Sequence, residues 1–189
     1  MTATQHPLVG KAERTRAHIF ATALELFEAE GFEAVTVARI AEHAGVSEMT
    51  FFRHFATKDA LLLDDPYDPL IVAAVAAQPR DLPPIRRAVA GIRDAWAEFP
   101  IEQAEEIRRR LRVASSPALR LAVSRNTATT ERVVAEQLER DGADPASARV
   151  AAAAVLAALM AALLHWAQSD AGELGTAIGR GLDVLEGRS

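Results

Sequence analysis

The side chains best able to do chemistry gather between Thr36 and Lys58, in the stretch TVARIAEHAGVSEMTFFRHFATK. Arg39, Arg53 and Lys58 carry positive charge there, and Thr36, Ser47 and Thr50 carry hydroxyls. Cations and hydroxyls on short helices suit contact with phosphates and base edges rather than catalysis. Catalytic signatures are missing elsewhere too. The chain has no Gly-rich phosphate loop, no HExxH, no nucleophile elbow and no Glu-x-x-His pair. Its five histidines, at 6, 18, 43, 54 and 165, are scattered, and it has no cysteine. This composition excludes disulfides, thiolate metal sites and cysteine nucleophiles, and neither an enzyme activity nor a cofactor is expected.

The stretch also supplies the elements that would position these groups. Thr36 can cap a short helix whose inward face carries Val37, Ile40, Ala41 and Ala44. Gly45 then ends that helix, because glycine adopts the positive φ that a sharp turn needs. Ser47 can cap a second helix, Glu48 to His54, anchored by Thr50, Phe51 and Phe55. Its other face presents Glu48, Met49, Phe52, Arg53 and His54. Two helices joined by a three-residue turn make a helix-turn-helix, whose second helix fits a DNA major groove.

At this spacing Ala41, Ala44-Gly45-Val46-Ser47, Thr50-Phe51-Phe52, His54-Phe55, Lys58-Asp59 and Leu61 resemble the signature of TetR-family transcriptional regulators. The Phe51-Phe52 pair resembles the branch that contains the mycofactocin-system regulator. Where the family commonly has a phosphate-bonding tyrosine, this chain has Phe52, which either packs against the sugar or loses the contact. The resemblance is specific over residues 11–65. It implies DNA contacts from Thr36, Arg39, Ser47, Glu48, Met49, Thr50, Phe52, Arg53, His54 and Lys58. It further implies a homodimer on a near-palindromic operator of double-stranded DNA, released by a small-molecule effector. The same fold can serve an activator, and a helical lipid- or acyl-binding module without a DNA role is the rival reading.

Net charge tests the DNA reading. The 189-residue chain carries −5 overall. Within residues 1–58, Lys11, Arg14, Arg16, Arg39, Arg53 and Lys58 face Glu13, Glu25, Glu28, Glu30, Glu33, Glu42 and Glu48. Distribution matters more than the sum: the bases lie at the start of the first helix and around the turn, while Glu25, Glu28 and Glu30 crowd the far end.

An all-α chain is expected, with residues 1–10 a flexible arm, 11–65 the DNA-binding domain and 66–189 a helical domain for ligand binding and dimerisation. Helix 1 spans Lys11 to Glu30. Thr57 can cap a helix starting at Lys58, and the DDPYDP sequence around Pro66 and Pro69 breaks it. Beyond it, helices are expected over Leu70–Ala77, Pro83–Phe99, Ile101–Ala114, Pro117–Arg140, Pro145–Ser169 and Ala171–Glu186. Val150 to Leu164 is apolar nearly all round. That run is shorter than the roughly 20 residues a membrane span needs, so burial against a second copy is expected rather than a bilayer. The N-terminus has no apolar signal-peptide core, in keeping with a cytoplasmic protein. Trp96, Phe99, Met160 and Trp166 are placed nearest a cavity for an apolar or amphipathic effector, or they fill core. The run Arg108, Arg109, Arg110 and Arg112 is flanked by Glu102, Glu105 and Glu106. It reads as a salt-bridged exposed face, with an anion-binding site or a second DNA site as alternatives.

Overall fold

A computed structural model describes residues 10–63, 68–97, 103–169 and 172–188. The chain divides into two compact units, Met1–Leu62 and Leu63–Ser189. Helices account for about 80% of the described residues, and no strand occurs among them.

The first unit contains α1 (Lys11–Glu30), α2 (Val37–His43) and α3 (Glu48–His54), with α4 (Ala60–Leu63) beginning at its end. Ile19, Leu24 and Phe27 of α1 are buried, as are Ile40, Phe51, Phe55, Leu61 and Leu62, and these apolar side chains supply the unit's small core. Phe27 and Phe32 lie 5.0 Å apart and Phe51 and Phe55 lie 5.6 Å apart, so aromatic rings supply much of the buried area. Four residues of α4 are described, and Thr57 caps its start, its Oγ1 accepting from Ala60 N at 3.1 Å.

In the second unit, α5 (Asp68–Ala77), α6 (Pro84–Ala97), α7 (Ala104–Ala114), a 3-10 turn (Pro117–Leu119), α8 (Arg120–Arg140), α9 (Pro145–Gln168) and α10 (Leu174–Leu185) form a bundle. The prolines at the starts of α6 and α9 sit where a helix has no N–H to lose. Asp144 caps α9 by accepting from Ser147 N at 3.0 Å. By length and composition α9 could cross a membrane. In the fold it is the bundle's axis: Ala151, Val155, Leu156, Leu159, Leu163 and Trp166 are buried, and it packs on α6, α7, α8 and α10. The α5 helix crosses α6 at Gly91, where an added Cβ would lie 2.6 Å from Val75 Cα, so only glycine permits this approach.

One polar cluster is buried inside the bundle. Arg87 Nη2 donates to Asp141 Oδ2 at 2.7 Å, Gln137 Nε2 donates to the same oxygen at 2.8 Å, and Arg80 reaches Oδ1 at 3.2 Å. Both the Arg87 and Asp141 side chains are almost wholly out of solvent. The hydrogen bond from Gln137, followed by the bond and charge of Arg87, holds the Asp141 carboxyl below the usual carboxylate range although burial opposes it. The cluster locks α6 to the C-terminal end of α8.

Candidate DNA interface and bundle cavity

The helix-turn-helix is assembled by local hydrogen bonds. Thr36 Oγ1 accepts from Arg39 N at 3.2 Å and Ser47 Oγ accepts from Thr50 N at 3.1 Å, so each helix starts on a side-chain cap. Gly45 has φ +63, and Val46 N reaches back to Ala41 O at 2.9 Å to close the turn. Phe51 and Phe55 are buried, which fixes the rotation of α3. The opposite face is then open: Met49 is 81% exposed, Phe52 51% exposed, and Glu48 and Arg53 are exposed beside them. His54 is half-buried and Thr50 is turned partly inward, its Oγ1 3.0 Å from Ser47 Oγ.

Three of the bases expected near DNA also have intramolecular roles. Arg39 pairs with Glu30, Nη2 to Oε1 at 2.8 Å, tying α2 to the end of α1. Arg16 stacks 4.2 Å from the centroid of Phe55 and donates to His54 O, holding the C-terminal end of α3. The ammonium of Lys58 donates to Phe32 O at 2.6 Å and Val35 O at 2.8 Å, and lies 4.1 Å from the Phe32 ring centroid. Desolvation draws the Lys58 pKa below its ordinary value, against the raising influence of Glu33 and Asp59. The partners of Arg16 and Lys58 lie more than twenty positions away in sequence and that of Arg39 nine, beyond any i,i+3 or i,i+4 spacing.

In the second unit a cavity of ≈ 410 Å³ is walled by Trp96, Arg108, Trp166, Leu174 and Ile178, with Glu173 on its lining. Trp96 and Trp166, expected near an effector, therefore share one cavity. Met160 packs against the core and is not part of this lining. Phe99 lies outside the described residues. Arg108 keeps the expected i,i+3 ion pair, Nε to Glu105 Oε2 at 3.5 Å, but departs from the expected exposure: its side chain is 12% exposed and its guanidinium lies 4.2 Å from the centroid of Trp166. Arg112 is exposed as a residue, yet its Nε donates to Ala167 O at 2.7 Å. The cause is tertiary, since α7 packs along α9 and its arginines find the carbonyls at the end of that helix. A neighbouring cavity of ≈ 400 Å³ between α9 and α10 shares Trp166, Gly172 and Glu173 with the first. No group of three or more metal-ligating side chains occurs among the described residues.

Comparison with known proteins agrees with both halves of this geometry. Residues 19–64 match the family model for bacterial regulatory proteins of the tetR family, and residues 82–189 match the MftR C-terminal domain. The chain is 28% identical over 189 residues to MftR of Mycobacterium tuberculosis, named a mycofactocin biosynthesis transcriptional regulator, covering 94% of this chain and 92% of that protein. It is 33% identical over 132 residues to the HTH-type transcriptional regulator TcmR of Streptomyces glaucescens, covering 69% of this chain but only 55% of TcmR. Among solved structures, NalD of Pseudomonas aeruginosa, a secondary repressor of the MexAB-OprM efflux pump, shares the fold with a TM-score of 0.62 at 21% identity, over 93% of this chain and 95% of that one. With a capped helix-turn-helix in its first unit and the MftR-type domain over more than half its length, the chain belongs to the TetR family of DNA-binding transcriptional regulators.

Proposed function

We propose that the chain is a ligand-released repressor acting as a homodimer on a near-palindromic operator in the cytoplasm. The observation that carries this reading is the face of α3, where Glu48, Met49, Phe52 and Arg53 stand in solvent on a helix whose rotation is fixed from behind by Phe51 and Phe55. Such a helix enters a major groove with little rearrangement. Arg53 reads a base edge, Met49 and Phe52 offer apolar contact to thymine methyls, and Ser47, Thr50, Thr36, Arg39, His54 and Lys58 border the backbone.

Residues 11–65 form the DNA-binding part, and residues 66–189 bind the effector and the second subunit. Dimerisation uses α9 with α10 or α8. Ala153, Ala157 and Ala161 are exposed along α9, and Val184 of α10 is 71% exposed, an apolar margin that a two-fold partner would cover. An apolar or amphipathic effector, with acyl thioesters among the candidates, enters the bundle and shifts the spacing of the two recognition helices. Coupling of about 1–3 kcal/mol suffices for such a shift.

A mobility-shift assay with the promoter beside its own gene, at stated salt, tests the reading. Specific retardation that an apolar ligand reverses supports it. Binding no tighter than to unrelated DNA refutes it.

A further inference from the structure

Among the described residues the Arg108 guanidinium has one carboxylate partner, the exposed Glu105, and otherwise meets uncharged groups. Its Nη1 donates to Ser169 O at 2.6 Å and its Nη2 to Gly172 O at 3.2 Å, both neutral acceptors. Its Nε is out of solvent and makes no hydrogen bond, and among the described residues the carboxylate oxygen in range is Glu105 Oε2 at 3.5 Å. Glu105 is itself 69% exposed, so water screens its charge. A guanidinium cannot shed its proton to relieve desolvation, and carbonyl dipoles compensate a charge less well than an anion does. A carboxylate offers the fork two charge-assisted hydrogen bonds instead.

The rest of the cavity sets the body of the ligand. Trp96, Trp166, Leu174 and Ile178 make the walls apolar, and ≈ 410 Å³ lies near the small end of ligand pockets, which run from about 300 to 1,000 Å³. Glu173, on the same lining, disfavours a second negative charge. We infer that this cavity binds a compact apolar monocarboxylate, with its carboxylate on Arg108 and its hydrocarbon body between Trp96 and Trp166. This rests on the reading of the bundle as an effector domain and names the ligand class and the residue that recognises it. An acyl thioester would keep its carrier group outside.

Occupancy has a structural consequence. The donors that would turn to the carboxylate now hold Ser169 and Gly172, at the junction of α9 and α10, and Gly172 O also accepts from Trp166 Nε1 at 2.9 Å. Trp166, Gly172 and Glu173 line the adjoining α9–α10 cavity as well, so loosening this junction reaches the helices proposed to form the dimer.

The chain has two tryptophans, and both line the cavity, so intrinsic fluorescence of the full-length protein reports the site directly. The probes are octanoate, octanamide and octylammonium. Octanoate is expected to shift tryptophan emission and bind roughly ten- to a hundredfold more tightly than octanamide, with octylammonium weakest. Arg108→Lys should shrink the acid-over-amide ratio and Arg108→Gln should abolish it; the ratio is read rather than either affinity, because Arg108 is part of the cavity wall and its loss alters the site for both probes. The ratio in the wild-type protein stands as a test even if a variant does not fold. Equal binding of acid and amide, preference for the amine, or an intact ratio in folded Arg108→Gln overturns the assignment. No response to any probe overturns the choice of cavity too. Octanoate that binds through Arg108 but leaves the operator complex intact refutes the effector reading alone.

Discussion

Lys58 separates two accounts of the same residue. The family resemblance puts its ammonium on a DNA phosphate; in the structure it spans two carbonyls of the α1–α2 connection, Phe32 O and Val35 O, over the Phe32 ring. Lys58→Ala removes both hydrogen bonds and the ring contact. Bonds from a charged donor contribute about 1.5–3 kcal/mol each when sheltered and less when water can replace them. Lys58 is half-buried. The expected loss is therefore about 2 kcal/mol for the pair, with about 0.5–1 kcal/mol more from the cation–π contact. For a unit of this size, 1 kcal/mol moves the melting midpoint by roughly 4–8 °C, so the first unit should melt well over 8 °C lower. Circular-dichroism melts of the full chain measure this, and amide exchange over Phe32–Thr36 should accelerate. If Lys58 serves the phosphate alone, the melt stays put and the slope of log affinity against log salt flattens by about 0.9 per subunit. An unchanged melt and unchanged exchange would refute the internal pin.

Other residues give equally separable outcomes. Arg53→Ala should relax selectivity at one operator position per half-site by about 1–3 kcal/mol, seen in competition binding against single-base operator variants. Asp141→Ala leaves Arg87 buried without its anion and should cost about 3–5 kcal/mol in urea unfolding. Because the Asp141 carboxyl is held below its unfolded value, its contribution is fully present above about pH 4 and fades as pH falls through the depressed folded pKa; Asp141→Asn should lack that acid-dependent segment. Ala161→Arg, on the exposed face of α9, should give monomers by sedimentation that keep their helix content and lose operator binding; a dimer that still binds would remove α9 from the interface.

What the sequence reveals and what it hides divide along one line. The capping hydroxyls of Thr36 and Ser47, the positive φ of Gly45 and the buried pair Phe51 and Phe55 are fixed by neighbours within a few residues, so spacing carries them. Proline 145 marks the start of α9 for the same local reason, while the helix expected from Pro83 begins one residue later, at Pro84. The partners of Arg87, Arg108 and Lys58 are another matter. Arg87 meets Asp141 after 54 intervening steps of chain and Arg108 meets Ser169 after 61. Nothing in an i,i+3 or i,i+4 count can show such meetings, and for Arg108 that count points to an exposed face beside Glu105.

The same distinction bears on charge. A census of residues 1–58 suggests six bases for DNA, yet Arg16, Arg39 and Lys58 each hold two parts of the first unit together. Every base kept in such a role subtracts about 0.9 from the salt slope that a full phosphate clamp would give. A net charge of −5 is then no paradox for this regulator. Affinity should rest less on counterion release and more on the fit of the α3 face, with Met49 and Phe52 supplying apolar contact that salt does not screen. A titration of operator affinity between low and high salt decides it: a slope as steep as six phosphate contacts per subunit would mean that Arg16, Arg39 and Lys58 leave their internal partners on binding.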